Sequence, residues 1–335
     1  MPARIEDVAA AAGVSMKTVS RVFNREPNVR ERTRQIVLQV AEELNYRPNP
    51  SARSLAGNRS YQVCLMYDNP SSNYVMEIIG GVLDACEGHR YGMMLRPLDY
   101  TSEDHVESAR EMLAQYRPDG LVLTPPLTDD ERLLEVLRDS GIPYASVSAQ
   151  SHHASMGATL DERCAVAEMM AHVIALGHRR IAHITGHPAH GARAWRLDGY
   201  LDGLKQAGIE FDSTLVVEGE FSFESGVAGA RQLLDGPSPP TAIFAANDDT
   251  ACGVICEALE RGLAIPGDLS VFGFDDTPMS RHVWPSLTTI RQPSREMGKV
   301  AAEQLLRFIR EKVPGGIVRI PYELKLRRST GRAPG

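Results

Sequence analysis

The chain has 335 residues, 43% apolar and 24% charged, with a net charge of −7. This exceeds one ordinary core and suits two or three domains. No apolar run reaches the ~18 residues of a membrane span, and Met1–Ala12 has no signal-peptide core. A cytoplasmic protein without a membrane partner is therefore expected. The odd count and scattered spacing of Cys64, Cys86, Cys164, Cys252 and Cys256 exclude a disulfide framework.

The acidic total hides an asymmetry. Residues 1–60 hold ten of the 36 basic and six of the 43 acidic residues, leaving 26 basic and 37 acidic ones for the remainder. A basic head on an acidic body directs attention to a phosphate-binding module at the N-terminus.

That head reads as three short helices. Ile5, Val8, Ala9 and Ala12 recur at helical spacing, and Gly13 ends the first helix. Ser15 suits the N-cap of a second helix whose buried stripe is Val19, Val22 and Phe23. A third helix is expected from about Arg30 to Leu44, with Ile36, Val37, Val40, Ala41 and Leu44 facing inward. Two short helices across a glycine turn form a helix-turn-helix, whose second helix can enter the major groove of double-stranded DNA. Arg and Lys there can read guanine, and Met16 can pack on a thymine methyl. Ser15, Thr18, Ser20 and Asn24 suit phosphate contacts. The segment 48–57 follows, with Asn49 as a cap, Pro50 at a first helical position and Gly57 as a stop. Two turns of isolated helix are unstable in water.

From Tyr61 onward strands and helices alternate. Strands are expected at Gln62–Tyr67, Met93–Arg96, Gly120–Leu123, Tyr144–Val147, Arg180–Ile184, Thr241–Phe244 and Leu269–Phe272. Between them lie helices at about Val75–His89, Glu103–Gln115, Asp129–Ser140, Glu162–Leu176, Arg193–Ala207, Phe223–Leu234 and Asp249–Arg261. Such alternation gives parallel sheets that bind ligands beyond the carboxyl ends of their strands. Asp68, Asn69 and Tyr74 follow the first strand and are expected at a cleft; Asn247 and Asp275 sit at strand ends.

The stretches Ile5–Ala9, Ala12–Ser15, Thr18–Val22, Asn24 and Leu44–Asn49 resemble the signature of the lactose/galactose-repressor (LacI/GalR) family of transcriptional regulators. Ala175–Ile181, Arg196–Tyr200, Ala246–Asp248, Gly262-Leu263, Val271–Asp276 and Pro285–Ile290 extend the resemblance over nearly the whole chain. It implies an all-α helix-turn-helix reader at 1–47, a hinge helix and linker at 48–60, and an α/β body at 61–335 of the two-lobed periplasmic-binding-protein type. The implied lobes are about 61–160 and 161–290, with the chain crossing back after 290.

By this resemblance Met16, Lys17 and Arg21 read bases. Leu55 levers open a minor-groove step beside Arg53, paired with the hinge of a second subunit. Asn247 and Asp275 match effector ligands, and Phe221 falls where a stacking aromatic stands. Arg193 and Arg196 both lie in the stretch that supplies an arginine, and the sequence does not choose between them. Asp248 and Asp276 are read as structural. The expected function is an effector-controlled repressor of carbohydrate-utilisation genes, with a sugar-like effector between the lobes. A purine or other non-sugar corepressor is the alternative. The chain ends after Arg327–Thr330 without a heptad extension, so a homodimer on a pseudo-palindromic operator is expected.

The rival classes have less to stand on. No nucleophile elbow, phosphate loop or helical His-Glu-x-x-His supports an enzyme. His178, His183, His187 and His190, with His152 and His153 upstream, fit no standard zinc spacing, so neither metal nor cofactor is expected.

Overall fold

The computed structural model describes residues 3–23, 28–47, 59–149 and 155–335. The expected hinge, with Arg53 and Leu55, and the expected phosphate contact Asn24 lie outside the described residues, as do His152 and His153. The chain divides into two compact units, Met1–Ser60 and Tyr61–Gly335.

The first unit is built from α1 (Ile5–Ala12), α2 (Met16–Phe23) and α3 (Glu31–Glu43). Asp7 accepts the Arg4 N–H at 2.7 Å and fixes the start of α1. Gly13 ends it with a left-handed φ of 62°, a conformation that side-chain-bearing residues resist. Ser15 Oγ then accepts the Thr18 N–H at 3.2 Å and caps α2. Val8, Val19, Val22, Val37 and Ala41 form the core, and Phe23 meets Tyr46 edge-on at 5.6 Å. Two expected core residues are displaced from it: Ile36 is 42% and Leu44 38% exposed. Ile36 is rotated by about 100° from Val37 on the helix. Leu44 lies beyond the end of α3, where the chain turns and Tyr46 takes the position against Phe23.

The second unit contains two sheets. In the first, β1 (Gln62–Tyr67), β2 (Gly92–Pro97), β3 (Gly120–Leu123), β4 (Tyr144–Val147) and β5 (Gly157–Thr159) are linked by α4 (Ser72–His89), α5 (His105–Tyr116) and α6 (Glu131–Ser140). In the second lobe α7 (Glu162–Ala175), β6 (Ile181–Ile184), α8 (Gly191–Gln206), β7 (Val216–Val217), α9 (Phe223–Leu234), β8 (Ala242–Ala245), α10 (Asp248–Glu260), β9 (Ser270–Asp275), α11 (Met279–His282) and β10 (Thr288–Arg291) follow in order. The chain then returns through α12 (Ser294–Glu311) and β11 (Ile317–Arg319) and ends with β12 (Glu323–Lys325). The sheet orders are β11-β5-β4-β3-β1-β2 and β12-β10-β9-β8-β6-β7. All pairings are parallel except that of β12 with β10.

The sequence expectation passes over α12, although Met297, Ala301, Leu305 and Ile309 are buried at helical spacing. Its place against α4 depends on glycine. A Cβ on Gly81 would stand 1.9 Å from the Arg295 carbonyl oxygen, so the two backbones touch where no side chain fits. The short strands β5 and β7 also went unread, being too brief to show a period. Between β1 and β3 in one lobe, and between β6 and β8 in the other, strand order reverses. Such switch points open a crevice beyond the carboxyl ends of the strands.

Candidate functional site

Two surfaces carry chemistry, one in each unit. On α2, Val19 and Val22 face the core, while Ser15, Met16 and Lys17 are exposed and Thr18, Ser20 and Arg21 half-buried. Lys17 and Arg21 stand one turn apart and share a face, as do Met16 and Ser20. Met16 is 50% exposed although apolar. A helix that shows a thioether, an ammonium and a guanidinium together, with its other face buried, presents hydrogen-bond donors and an apolar contact to whatever it docks on. Ser15 and Thr18 are partly engaged with each other, their hydroxyl oxygens 2.9 Å apart.

In the body a cavity lies beyond the strand ends of both lobes. Asn69, Ser71 and Tyr74 follow β1, Pro125 follows β3 and Ser148 follows β4. From the other lobe come Glu162, His190, Arg196, Phe221, Asn247, Asp275 and Gln292. Six of the eight expected effector residues are thus brought together: Asn69, Tyr74, Arg196, Phe221, Asn247 and Asp275.

Arg196 is the hub. It is 4% exposed. Its Nε donates to Glu162 Oε2 at 2.7 Å and its Nη1 to the Ala246 carbonyl at 2.5 Å. Its guanidinium lies 3.7 Å from the centre of the Phe274 ring, and Nη2 is directed at Asp275 Oδ1, 3.9 Å away. Asp275 ends β9 with a φ of 114°, and Gln292 Nε2 donates to its Oδ1 at 3.2 Å. Burial, reinforced by the nearby carboxylates, holds the Asp275 pKa well above the usual carboxylate range, against the pull of Arg196. Phe221 supplies an aromatic wall seated on Gly186, where a Cβ would come within 1.9 Å of the ring. His190 meets that ring edge-on at 5.4 Å, and burial lowers its pKa to about 4, which keeps it neutral at pH 7. Burial likewise raises the Tyr74 phenol.

Two expected residues are elsewhere. Asp68 Oδ2 accepts the Tyr100 N–H at 2.8 Å and ties the end of β1 to the loop after β2. Arg193 Nη2 reaches Glu218 at 2.5 Å. Neither lines the cavity; of the two arginines, Arg196 does. Three residues on from Arg193 the helix has turned by about 300°, and there the side chain of Arg196 is 5% exposed against 25% for Arg193. Asn247 does line the wall, but much of its side chain is structural. Its Oδ1 caps α10 by accepting the Thr250 N–H, and its Nδ2 donates to the Phe221 carbonyl, both at 2.9 Å.

Sequence reasoning missed Ser148, Glu162, His190 and Gln292. The signal for Ser148 was available, since it stands just beyond an expected strand end, whereas β10, which precedes Gln292, was not among the expected strands. Glu162 looked like an ordinary first-turn acid of α7. Asp248 is structural, accepting from Thr277 and Thr289, and Asp276 pairs with Arg327. Of the clustered histidines, His178 bridges Thr241 Oγ1 and the Gly331 carbonyl. His183 Nδ1 bonds the Phe244 carbonyl at 3.0 Å, under a ring stacked 4.4 Å away.

Comparison with known proteins follows the same division. Residues 4–49 match a model described as bacterial regulatory proteins, lacI family, and residues 170–330 one described as a periplasmic binding protein-like domain. The chain is 34% identical to catabolite control protein A of Priestia megaterium, over 98% of this chain and all of that protein. A lac repressor dimer solved with operator and the anti-inducer ONPF superposes with a TM-score of 0.82 at 29% identity, covering 99% of this chain and 100% of that one. A complex of the regulator CelR with cellobiose superposes at 0.75 and 30% identity, covering 98% and 99%.

Proposed function

The chain belongs to the lacI family of bacterial regulatory proteins, and from that premise we propose that it represses carbohydrate-utilisation genes, binding its operator under the control of a sugar-like effector. The observation that carries this reading is the cavity: polar groups beneath an aromatic face, at the strand ends of two lobes, in a chain whose other unit is a helix-turn-helix. A sugar needs planar polar side chains for its hydroxyls and a flat apolar face for its ring. Asp275, Asn69, Gln292 and Arg196 suit the first need and Phe221 the second.

The geometry also supports a route from effector to DNA. Ser71 Oγ in the first lobe donates to Asp249 Oδ2 in the second at 2.8 Å. The cavity between them measures about 30 Å³, room for a water or two and not for a sugar ring. Effector entry therefore parts the lobes or rearranges the wall, and a ligand that favours one lobe arrangement shifts the balance between them. In a homodimer the lobes would carry the two hinges, 48–60, with them. Moving the hinges apart weakens operator binding and bringing them together strengthens it.

Met16, Lys17 and Arg21 read bases in this proposal, Ser15, Thr18, Ser20 and Asn24 hold phosphates, and Leu55 engages the minor groove with Arg53 near the DNA backbone. The partner subunit covers exposed apolar side chains. Candidates are Met76, Leu83 and Leu95 in the first lobe and Phe223, Leu259, Met279 and Trp284 in the second. The protein works in the cytoplasm, beside its operator.

The test is a thermal-shift screen against sugars and nucleobases, then operator anisotropy with each hit. A sugar that stabilises the protein and changes operator affinity supports the proposal; a response to nucleobases alone refutes the sugar reading. Asp275→Ala should weaken the effector at least tenfold, the scale of one or two hydrogen bonds at ~0.5–1.5 kcal/mol each, and leave effector-free operator binding unchanged. Calorimetry with unaltered affinity would remove Asp275 from the site.

A further inference from the structure

We propose that the cleft accepts an uncharged, hydroxyl-rich ligand and rejects sugars bearing a phosphate or carboxylate, because its one lining guanidinium is already balanced from within the wall. This rests on the reading of the cavity as the effector site and narrows the chemical class it takes.

The balance is visible in the contacts of Arg196. Its Nε is committed to Glu162 at 2.7 Å, its Nη1 to a carbonyl at 2.5 Å and its face to Phe274. Glu162 is itself 2% exposed. The pair is therefore a closed, desolvated unit rather than a waiting anion receptor. Beyond it stands a second carboxyl group, Asp275, whose side chain is 7% exposed and whose charged form burial disfavours. No other described lining residue supplies a cation at neutral pH. His190 is held neutral by burial. Arg193 is held by Glu218, away from the lining. An incoming phosphate or carboxylate would bury a negative charge where the one lining guanidinium is already balanced by Glu162, which is the costly arrangement for buried charge.

The same wall welcomes hydroxyl donors. Glu162 and Asp275 bring carboxyl groups to the lining, each with one oxygen engaged within the wall, Oε2 of Glu162 by Arg196 and Oδ1 of Asp275 by Gln292. Ser148 Oγ is buried beside the Tyr74 hydroxyl, in a residue 4% exposed that lines the cavity. Two carboxyl groups and a hydroxyl around one small space suit the O–H groups of a polyol, which both donate and accept, and whose ring the Phe221 face can cover. A buried acceptor left unmatched is destabilising, so the wall selects for donors as well as against anions.

The experiment uses the full-length protein at pH 7.5 and a panel of neutral mono- and disaccharides that includes glucose and cellobiose. Each binder is compared by calorimetry with its phosphate and uronate counterparts, glucose 6-phosphate and glucuronate in the case of glucose. The expected result is at least tenfold weaker binding of each anionic counterpart. Glu162→Gln keeps the shape of the side chain and unbalances Arg196, and should narrow that gap at least threefold. Should this variant fail to fold by circular dichroism, the wild-type comparison decides. An anionic counterpart that binds the wild type as tightly as its neutral parent overturns the inference and leaves the sugar-effector reading intact. A panel in which nothing binds overturns that reading, and this inference with it.

Discussion

Replacing Arg196 by Met removes the centre of the cavity wall and leaves Glu162 buried without its counter-ion. The side chains of the pair are 5% and 1% exposed, so water cannot take over the lost interaction. Breaking a buried pair by removing one partner costs about 3–5 kcal/mol, most of it the penalty of the stranded charge. The Ala246 carbonyl also loses its donor, an effect of about 1 kcal/mol within that range. By contrast, the pair Arg110–Glu107 is 55% and 63% exposed, and Arg110→Met should be nearly neutral, as exposed pairs contribute well under about 1 kcal/mol. The measurement is urea unfolding followed by tryptophan fluorescence. Both tryptophans, Trp195 and Trp284, belong to the body, so its unfolding is read apart from that of the reader. If the cost is the stranded carboxylate, Arg196→Met/Glu162→Gln should recover at least about 2 kcal/mol of it. A single-mutant penalty below about 1 kcal/mol, or a double mutant no more stable than the single, would refute the reasoning.

Gly186→Ala should push the Phe221 ring out of place, since its Cβ would lie 1.9 Å from the ring; calorimetry should show effector binding weakened at least tenfold, with effector-free operator binding unchanged. Arg21→Ala should cost ~1–3 kcal/mol in operator binding and relax specificity at one base pair per half-site, read by anisotropy against operator and scrambled DNA. Identical binding to both DNAs as in the wild type would displace Arg21 from its role. His190 contributes a pH-dependent effect whose sign follows from its lowered pKa, about 4 against a usual 6.5. The unfolded chain takes up a proton there between those values and the folded one does not, so stability is lost as pH falls from 6.5 to 4. The wild type should therefore weaken relative to His190→Gln by up to about 3 kcal/mol over that window; parallel unfolding curves of the two proteins across the window would contradict the burial of a neutral imidazole.

The sequence by itself determined what short-range chemistry controls. The turn at Gly13 and the Ser15 cap need only neighbours along the chain, and the α2 stripe needs only a helical period. The same holds for the seven strands read in the body, from Gln62–Tyr67 to β9, whose apolar runs mark burial on both faces in all but the edge strand β2. The strand-end rule then pointed to Asp275, Asn69 and Asn247 before any contact was known. What local pattern could not decide was which side chains converge. Arg193 and Arg196 are three residues apart on one helix, and only the packing of α8 against the second sheet turns Arg196 inward and leaves Arg193 to Glu218. Glu162 comes to Arg196 from 34 residues away, and Asp68 was drawn off by Tyr100, 32 residues on. Charge balance in the cavity is a property of such long-range pairs. It was fixed when the chain crossed between the lobes and brought the ends of both sheets around one small space, where low polarity makes each pairing decisive.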